Sequence, residues 1–240
     1  MTYPSFRIPS TGRPPLRAVF LDLDDTLLDT AGLLLGPARL EAGAAMTAAG
    51  LPGTAAEAAA GLARMAREKP GENPFEALAE SLGADPMRVG VAGWGAFFRR
   101  EVPATLPLME GVPGALGALR RAGLRLFLVT FGDPGTQEAK VRATGVAALV
   151  DRVVCEPLGP SADKGRAFRA ICEEEGLDPL SCAAVGDRPD AEIAAGNRMG
   201  MLTYRVHRGE HRWLEARTSE ERARASAPTF VAVAEMILRP

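Results

Sequence analysis

The 240-residue chain has few cysteines, few aromatic residues, almost no net charge and no long apolar run. Each shortage excludes a class of protein. The three cysteines, Cys155, Cys172 and Cys182, are an odd number without metal-ligand spacing. They argue against a disulfide scaffold or a zinc site and fit buried thiols in a reducing cytoplasm. Aromatics make up 5% of the chain, too few for a base-stacking surface. A net charge of −2 offers no basic face, so no nucleic-acid partner is expected. No segment reaches the roughly 18 apolar residues that a membrane span needs, so no membrane partner is expected either. Residues 1–15 contain Pro4, Pro9, Pro14 and Pro15 and no apolar centre. They are expected to form a loose tail rather than a signal peptide. What remains, 47% hydrophobic and 24% charged, is the composition of a globular protein, long enough for one large domain or one domain with an insertion.

Short apolar runs at Leu16–Leu21, Leu124–Thr130, Cys182–Val185 and Met201–Val206, with a weaker one at Arg152–Cys155, suit buried strands. After the first, they alternate with helical stretches at Val112–Ala122, Gly135–Thr144, Lys164–Glu175 and Asp190–Met199. The alternation predicts an α/β fold, a Rossmann-like parallel sheet with helices on both faces. Thr229–Val233 reads as a last edge strand leading into a short C-terminal helix. Thr30 to about Pro107 breaks the pattern. It holds four helical pieces, about Pro37–Ala49, Thr54–Glu68, Pro74–Leu82 and Pro86–Arg100, each placed by a first-turn proline or a glycine stop. The expected organisation is a core of residues 16–30 and 108–240 interrupted by an all-helical insert at 31–107. Gly32, Gly36, Pro103, Pro107 and Gly111 flank that insert as candidate hinges.

The chemistry-bearing residues fall at strand ends, where open parallel sheets bind ligands. Asp22 and Asp24 close the run Val19–Leu23 two residues apart, on one side of an extended chain. Two such carboxylates repel unless a cation lies between them, and hard oxygen donors at a buried strand end suit Mg2+. Thr130 ends Leu126–Thr130 and is followed by Phe131 and Gly132. Its hydroxyl can donate to an anion, and Gly132 lets the backbone approach closely. Lys164 opens a helix against the macrodipole, a position that favours an anion beside it. Gly186-Asp187 ends a strand, with Asp190 and Glu192 three and five residues after Asp187.

In this order, the residues resemble the haloacid dehalogenase superfamily of aspartate-nucleophile phosphotransferases. Asp22-x-Asp24-x-Thr26 is similar to its first motif, Thr130 to the second, Lys164 to the third, and Gly186-Asp187 with its following acids to the fourth. The helical insert resembles the cap of phosphoglycolate phosphatase-like members. Phe131 stands where many relatives have a small or amide residue, Gly165 where proline is more frequent, and Glu192 where aspartate is commoner. The resemblance implies a Mg2+-dependent phosphatase acting on a small phosphorylated metabolite, and the cysteine usage a cytoplasmic one. Asp22 is then the nucleophile and Asp24 the acid–base, with Thr130 and Lys164 on the phosphoryl oxygens beside Phe131 and Gly132. Asp22, Asp24 and Asp187 are the metal residues, Thr26 orders the loop, and either Asp190 or Glu192 is the outer supporting acid. A sugar-phosphate mutase would retain the same core. A haloalkanoate dehalogenase would need neither Asp24 nor the Gly186-Asp187 cluster, and a catalytically dead module would have lost one of the three aspartates.

Overall fold

The computed structural model describes residues 12–69, 71–99, 101–157 and 163–239. Six strands, β1 (Ala18–Leu21), β2 (Arg125–Gly132), β3 (Arg152–Pro157), β4 (Cys182–Gly186), β5 (Leu202–Val206) and β6 (Ala225–Ala227), form one parallel sheet in the order β3-β2-β1-β4-β5-β6. Strands covered on both faces read as continuous apolar runs, which is why β1 and β4 carry no polar alternation. Their side chains still alternate between two cores. Val19 and Leu21 pack with Leu116, Leu126 and Val233 on one face. Phe20 packs with Phe127 and Phe168 on the other, at ring-centre distances of 5.2 and 4.9 Å.

The chain winds outward from β1 through β2 to β3, then crosses back to β4 on the other side of β1. That reversal opens a crevice at the carboxyl ends of β1 and β4. The helices covering the sheet are α6 (Val112–Arg121), α7 (Pro134–Thr144), α8 (Lys164–Glu174), α9 (Ala194–Arg198) and α10 (Phe230–Leu238). The expected edge strand at Thr229–Val233 is instead the start of α10. Thr229 is its N-cap, accepting from the Ala232 amide, and Phe230, Val233, Ala234 and Ile237 form one buried helical stripe. The sheet edge is β6, just upstream.

Between β1 and α6 lie α1 (Thr30–Leu33), α2 (Leu35–Ala48), α3 (Ala55–Glu68), α4 (Pro74–Ser81) and α5 (Val91–Phe98), the last entered through a wide π-type turn at Pro86–Gly90. They enclose their own apolar cluster around Met46, Leu62, Phe75, Leu78 and Val89. Thr54 and Glu57 make a reciprocal capping box on α3, and Asn73 caps α4 ahead of Pro74. Of the candidate hinges, Gly32 lies in α1 and Gly36 in α2, inside hydrogen-bonded helices rather than in an open linker. Most of the N-terminal tail and the residue Arg100 lie outside the described residues. Within the tail, Arg13 is anchored by a 3.0 Å hydrogen bond from Nε to the Leu180 carbonyl.

Candidate active site

Asp22 is the first residue beyond β1, and its amide continues the sheet by donating to the Val185 carbonyl of β4 at 3.0 Å. The residue is 6% exposed. Thr26 donates to Asp22 Oδ2 at 3.4 Å. The Lys164 ammonium, at the first turn of α8, hydrogen-bonds Asp22 Oδ1 and also pairs with Glu192. Two carboxylates thus offset the poor fit of a lysine to a helix N-terminus.

Asp187 follows β4 and is buried, with its Oδ2 making no hydrogen bond. Glu192 folds back along the end of β4, accepting from the Arg188 amide at 3.2 Å. A Cβ at Gly186 would lie 2.4 Å from Glu192 Cγ, so only glycine lets this carboxylate pass. Asp190 points elsewhere and binds the Arg188 guanidinium with hydrogen bonds of 2.8 and 3.0 Å. Of the two acids left open by the sequence, Glu192 is the one turned toward Asp22 and Lys164.

Three buried carboxylates, Asp22, Asp187 and Glu192, therefore gather at the strand ends, and only Asp22 and Glu192 of the three are paired with the Lys164 ammonium. Burial pushes Asp22 up to about 7, against the pull of Lys164 and with help from the Glu192 and Asp24 charges. Burial likewise raises Asp187 well above the usual carboxylate range, reinforced by Glu192, Asp22 and Asp25. A cluster with this excess of negative charge and an unpaired buried oxygen fits a hard divalent cation. Among the described residues no three His, Cys, Asp or Glu side chains form a ready-made cage. Mg2+ takes one or two carboxylates and fills its other positions with carbonyls, water and phosphate.

Asp24 turns away from this cluster. Lys140 of α7, itself 5% exposed, donates to both its oxygens at 2.8 and 3.0 Å, Gln137 donates at 2.8 Å, and Thr30 of α1 also donates. Burial alone would raise its pKa, but the Lys140 charge and these hydrogen bonds hold Asp24 below the ordinary carboxylate range. Gln137 also bonds the Thr130 hydroxyl at 2.7 Å and the Phe131 carbonyl at 2.9 Å. Thr130 is fully buried, whereas Phe131 and Gly132 line the cavity.

Asp25 adopts a left-handed backbone (φ 54°), an uncommon state for a non-glycine residue. Its buried carboxylate accepts from the Ala31 amide at 2.8 Å and the Glu210 amide at 3.1 Å. It joins the strand end to the first helix of the insert and to the loop after β5. Gly209, with φ 69°, is required there, because a Cβ would stand 2.2 Å from the Asp25 carboxylate.

Sequence reasoning missed Gln137, Lys140, Thr30 and Asp25. A faint signal was present: α7 buries Thr136, Gln137 and Lys140, so its sheet-facing side is polar where an ordinary covering helix is apolar. All these groups border a cavity of about 570 Å3 between the strand ends and the insert.

The chain matches the haloacid dehalogenase-like hydrolase family over residues 16–200. It is 30% identical over 212 residues to the glyceraldehyde 3-phosphate phosphatase of Methanopyrus kandleri, covering 86% of this chain and 90% of that one. It is 28% identical over 209 residues to human N-acylneuraminate-9-phosphatase, covering 79% and 82%. Among solved structures, a predicted phosphoglycolate phosphatase from Haemophilus somnus shares the fold with a TM-score of 0.65 at 17% identity, covering 92% and 97%. A magnesium-bound HAD-hydrolase from Bacillus subtilis does so with a TM-score of 0.61 at 17% identity, covering 94% and 100%.

Proposed function

The chain belongs to the haloacid dehalogenase-like hydrolases and is a phosphoric monoester hydrolase, and we propose that it works with Mg2+ through an aspartyl-phosphate on Asp22. The observation that carries this reading is Lys164 held between Asp22 and Glu192, beside a buried Asp187 with one unpaired oxygen. The substrate is a small phosphorylated metabolite, and α1–α5 act as a cap over its leaving group.

Asp22 attacks phosphorus in line with the leaving alcohol, forming the acyl-phosphate bond as the ester P–O bond breaks. Lys164, already against Asp22, takes up charge on the equatorial oxygens beside Phe131 and Gly132, and the buried Thr130 supports that strand end from behind through its bond with Gln137. Bound Mg2+ supplies charge neutralisation between nucleophile and phosphoryl group, and Asp22, the Asp24 backbone carbonyl and Asp187 are the residues that would hold it. Glu192 is the outer acid, fixing Lys164. Asp24 protonates the departing alkoxide and then draws a proton from the water that cleaves the acyl-phosphate. In the Lys140–Gln137–Thr30 cradle Asp24 is held ionised, so its acid form requires the carboxyl to leave Lys140. An ion pair between Arg39 of α2 and Glu210 of the core bridges insert and sheet over the site and helps exclude water.

The Asp24 side chain and the Gly186-Asp187 cluster disfavour dehalogenase chemistry, which has no leaving alkoxide to protonate. A panel of phosphate monoesters assayed with Mg2+ and with EDTA tests the proposal, with isomerisation of hexose phosphates followed in parallel. Mg2+-dependent phosphate release is expected. Hydrolysis that survives EDTA, or isomerisation outrunning release, would contradict it.

A further inference from the structure

Only 13 of the 240 residues are Phe, Trp or Tyr. Five of them, Phe75, Trp94, Phe97, Phe98 and Phe131, border the cavity above Asp22. Four form a connected wall on the insert. Phe75 meets Phe97 edge-on at 5.3 Å, Phe97 meets Phe98 at 5.0 Å, and Phe98 lies against Trp94 at 4.7 Å. Phe75 is buried in the insert core and anchors the wall, while Trp94, Phe97 and Phe98 are half-buried and keep part of their surface for the cavity. Phe131 supplies the facing edge beside the phosphoryl end, its ring centre 5.6 Å from the Lys164 ammonium.

The charges of the cavity narrow the ligand further. Among the described residues, every lysine or arginine bordering it already has a carboxylate. Arg39 pairs with Glu210, Arg188 with Asp190, Lys140 with Asp24, and Lys164 with Asp22 and Glu192. Burial, with the nearby Arg188 charge, pulls the remaining base, His211, down to about 4, so it is neutral near pH 7. Glu72 and Asp133 add further negative charge. Among the described residues, no lysine or arginine bordering the cavity is left without a carboxylate to receive a second anionic group, such as a carboxylate on the leaving alcohol. A three-carbon ester would also leave much of the roughly 570 Å3 unfilled.

Resting on the phosphatase reading, we propose that the substrate's leaving group is an uncharged alcohol bearing an aromatic ring, received by the Phe75–Phe97–Phe98–Trp94 wall. Aromatic rings pair edge-to-face or offset, and the half-buried rings offer both their faces and edges to a flat partner.

The test compares kcat/KM for 2-phenylethyl phosphate, glycerol 3-phosphate and phosphoserine in the Mg2+-loaded full chain. The aromatic ester is expected to lead by about 100-fold, the equivalent of two or more ring contacts. Trp94→Ala, and the milder Phe98→Leu in case the first variant unfolds, should each shrink that ratio by about 10-fold. Equal kcat/KM for the three esters, or equal losses on all of them in the variants, would overturn the inference while leaving the phosphatase reading intact. Absence of Mg2+-dependent hydrolysis on every ester would overturn the phosphatase reading. Calorimetric binding of benzylphosphonate against methylphosphonate then still decides the preference of the cavity, and equal affinities would overturn it.

Discussion

On the sheet side of the cavity, Asp22, Asp187, Glu192 and Lys164 crowd polar charge into a buried space and leave one carboxylate oxygen unpaired. On the insert side, Met46, Leu62, Phe75, Leu78 and Val89 fill a hydrocarbon core with no such conflict. The first region gives up stability for chemistry, because desolvated like charges are tolerated only where a ligand relieves them. The second is built for packing and presents its leftover aromatic surface to whatever the first region holds. On the proposed reading catalysis and selectivity fall to separate cores, so changes in one should leave the other's signature in place.

The largest expected break is on the charged side. Asp22→Asn keeps the shape but cannot attack phosphorus, so turnover should fall roughly 10,000-fold or more while the fold, read by circular dichroism, persists. Substantial Mg2+-dependent hydrolysis in the pure variant would remove Asp22 from the nucleophile role. Asp24→Asn should lose about 100- to 10,000-fold on an alkyl phosphate, whose alkoxide needs a proton, and less in the first step on p-nitrophenyl phosphate. Equal first-step losses by rapid quench would deny Asp24 an acid role.

These two residues were also the most legible part of the chain. A buried apolar run ending in Asp22-Leu23-Asp24 has a local signature, and so does Gly186-Asp187 at the end of β4. Five of the six strands were equally readable, because buried parallel strands are continuous apolar runs, whereas the three-residue β6 carries no such run. The α10 start was misread because Phe230, Val231 and Val233 look strand-like until Thr229 is seen as a cap. Gln137 and Lys140 were invisible for another reason. They lie more than a hundred residues from Asp24, and only the packing of α7 on the sheet brings them to it. The aromatic wall was partly local, with Trp94, Phe97 and Phe98 on one helix, and only tertiary packing brings Phe75 to them and Phe131 opposite.

On the insert side, Phe75→Ala should cost about 3–5 kcal/mol in urea unfolding, as for other large core truncations. The Mg2+ concentration for half-maximal activity should not move, since Phe75 belongs to a different cluster from Asp22. A shifted Mg2+ requirement would merge the two regions.

The smallest effect sharpens the charged side alone. Burial pushes Asp22 up to about 7 and also raises Asp25 and Asp187, so above the unfolded carboxylate pKa the folded state holds protons that the unfolded state has released, in the case of Asp22 up to about pH 7. Their contribution is present below the unfolded carboxylate pKa and is lost as pH rises through the folded values. His211, held near 4, works in the opposite direction below its ordinary 6.5. Metal-free protein should therefore melt lower at pH 8 than at pH 6. Mg2+ at 100 times its dissociation constant should restore about 2.7 kcal/mol at pH 8. A melting point that ignores Mg2+ at pH 8 would mean that the carboxylate cluster holds no cation.

The central claim is that Asp22 carries the phosphoryl group. Asp24→Asn, mixed with Mg2+ and p-nitrophenyl phosphate and quenched within the burst, should accumulate the acyl-phosphate. Borohydride reduction followed by peptide mass spectrometry should then find homoserine at position 22. A burst with aspartate intact at position 22, or homoserine at any other position, would contradict the account.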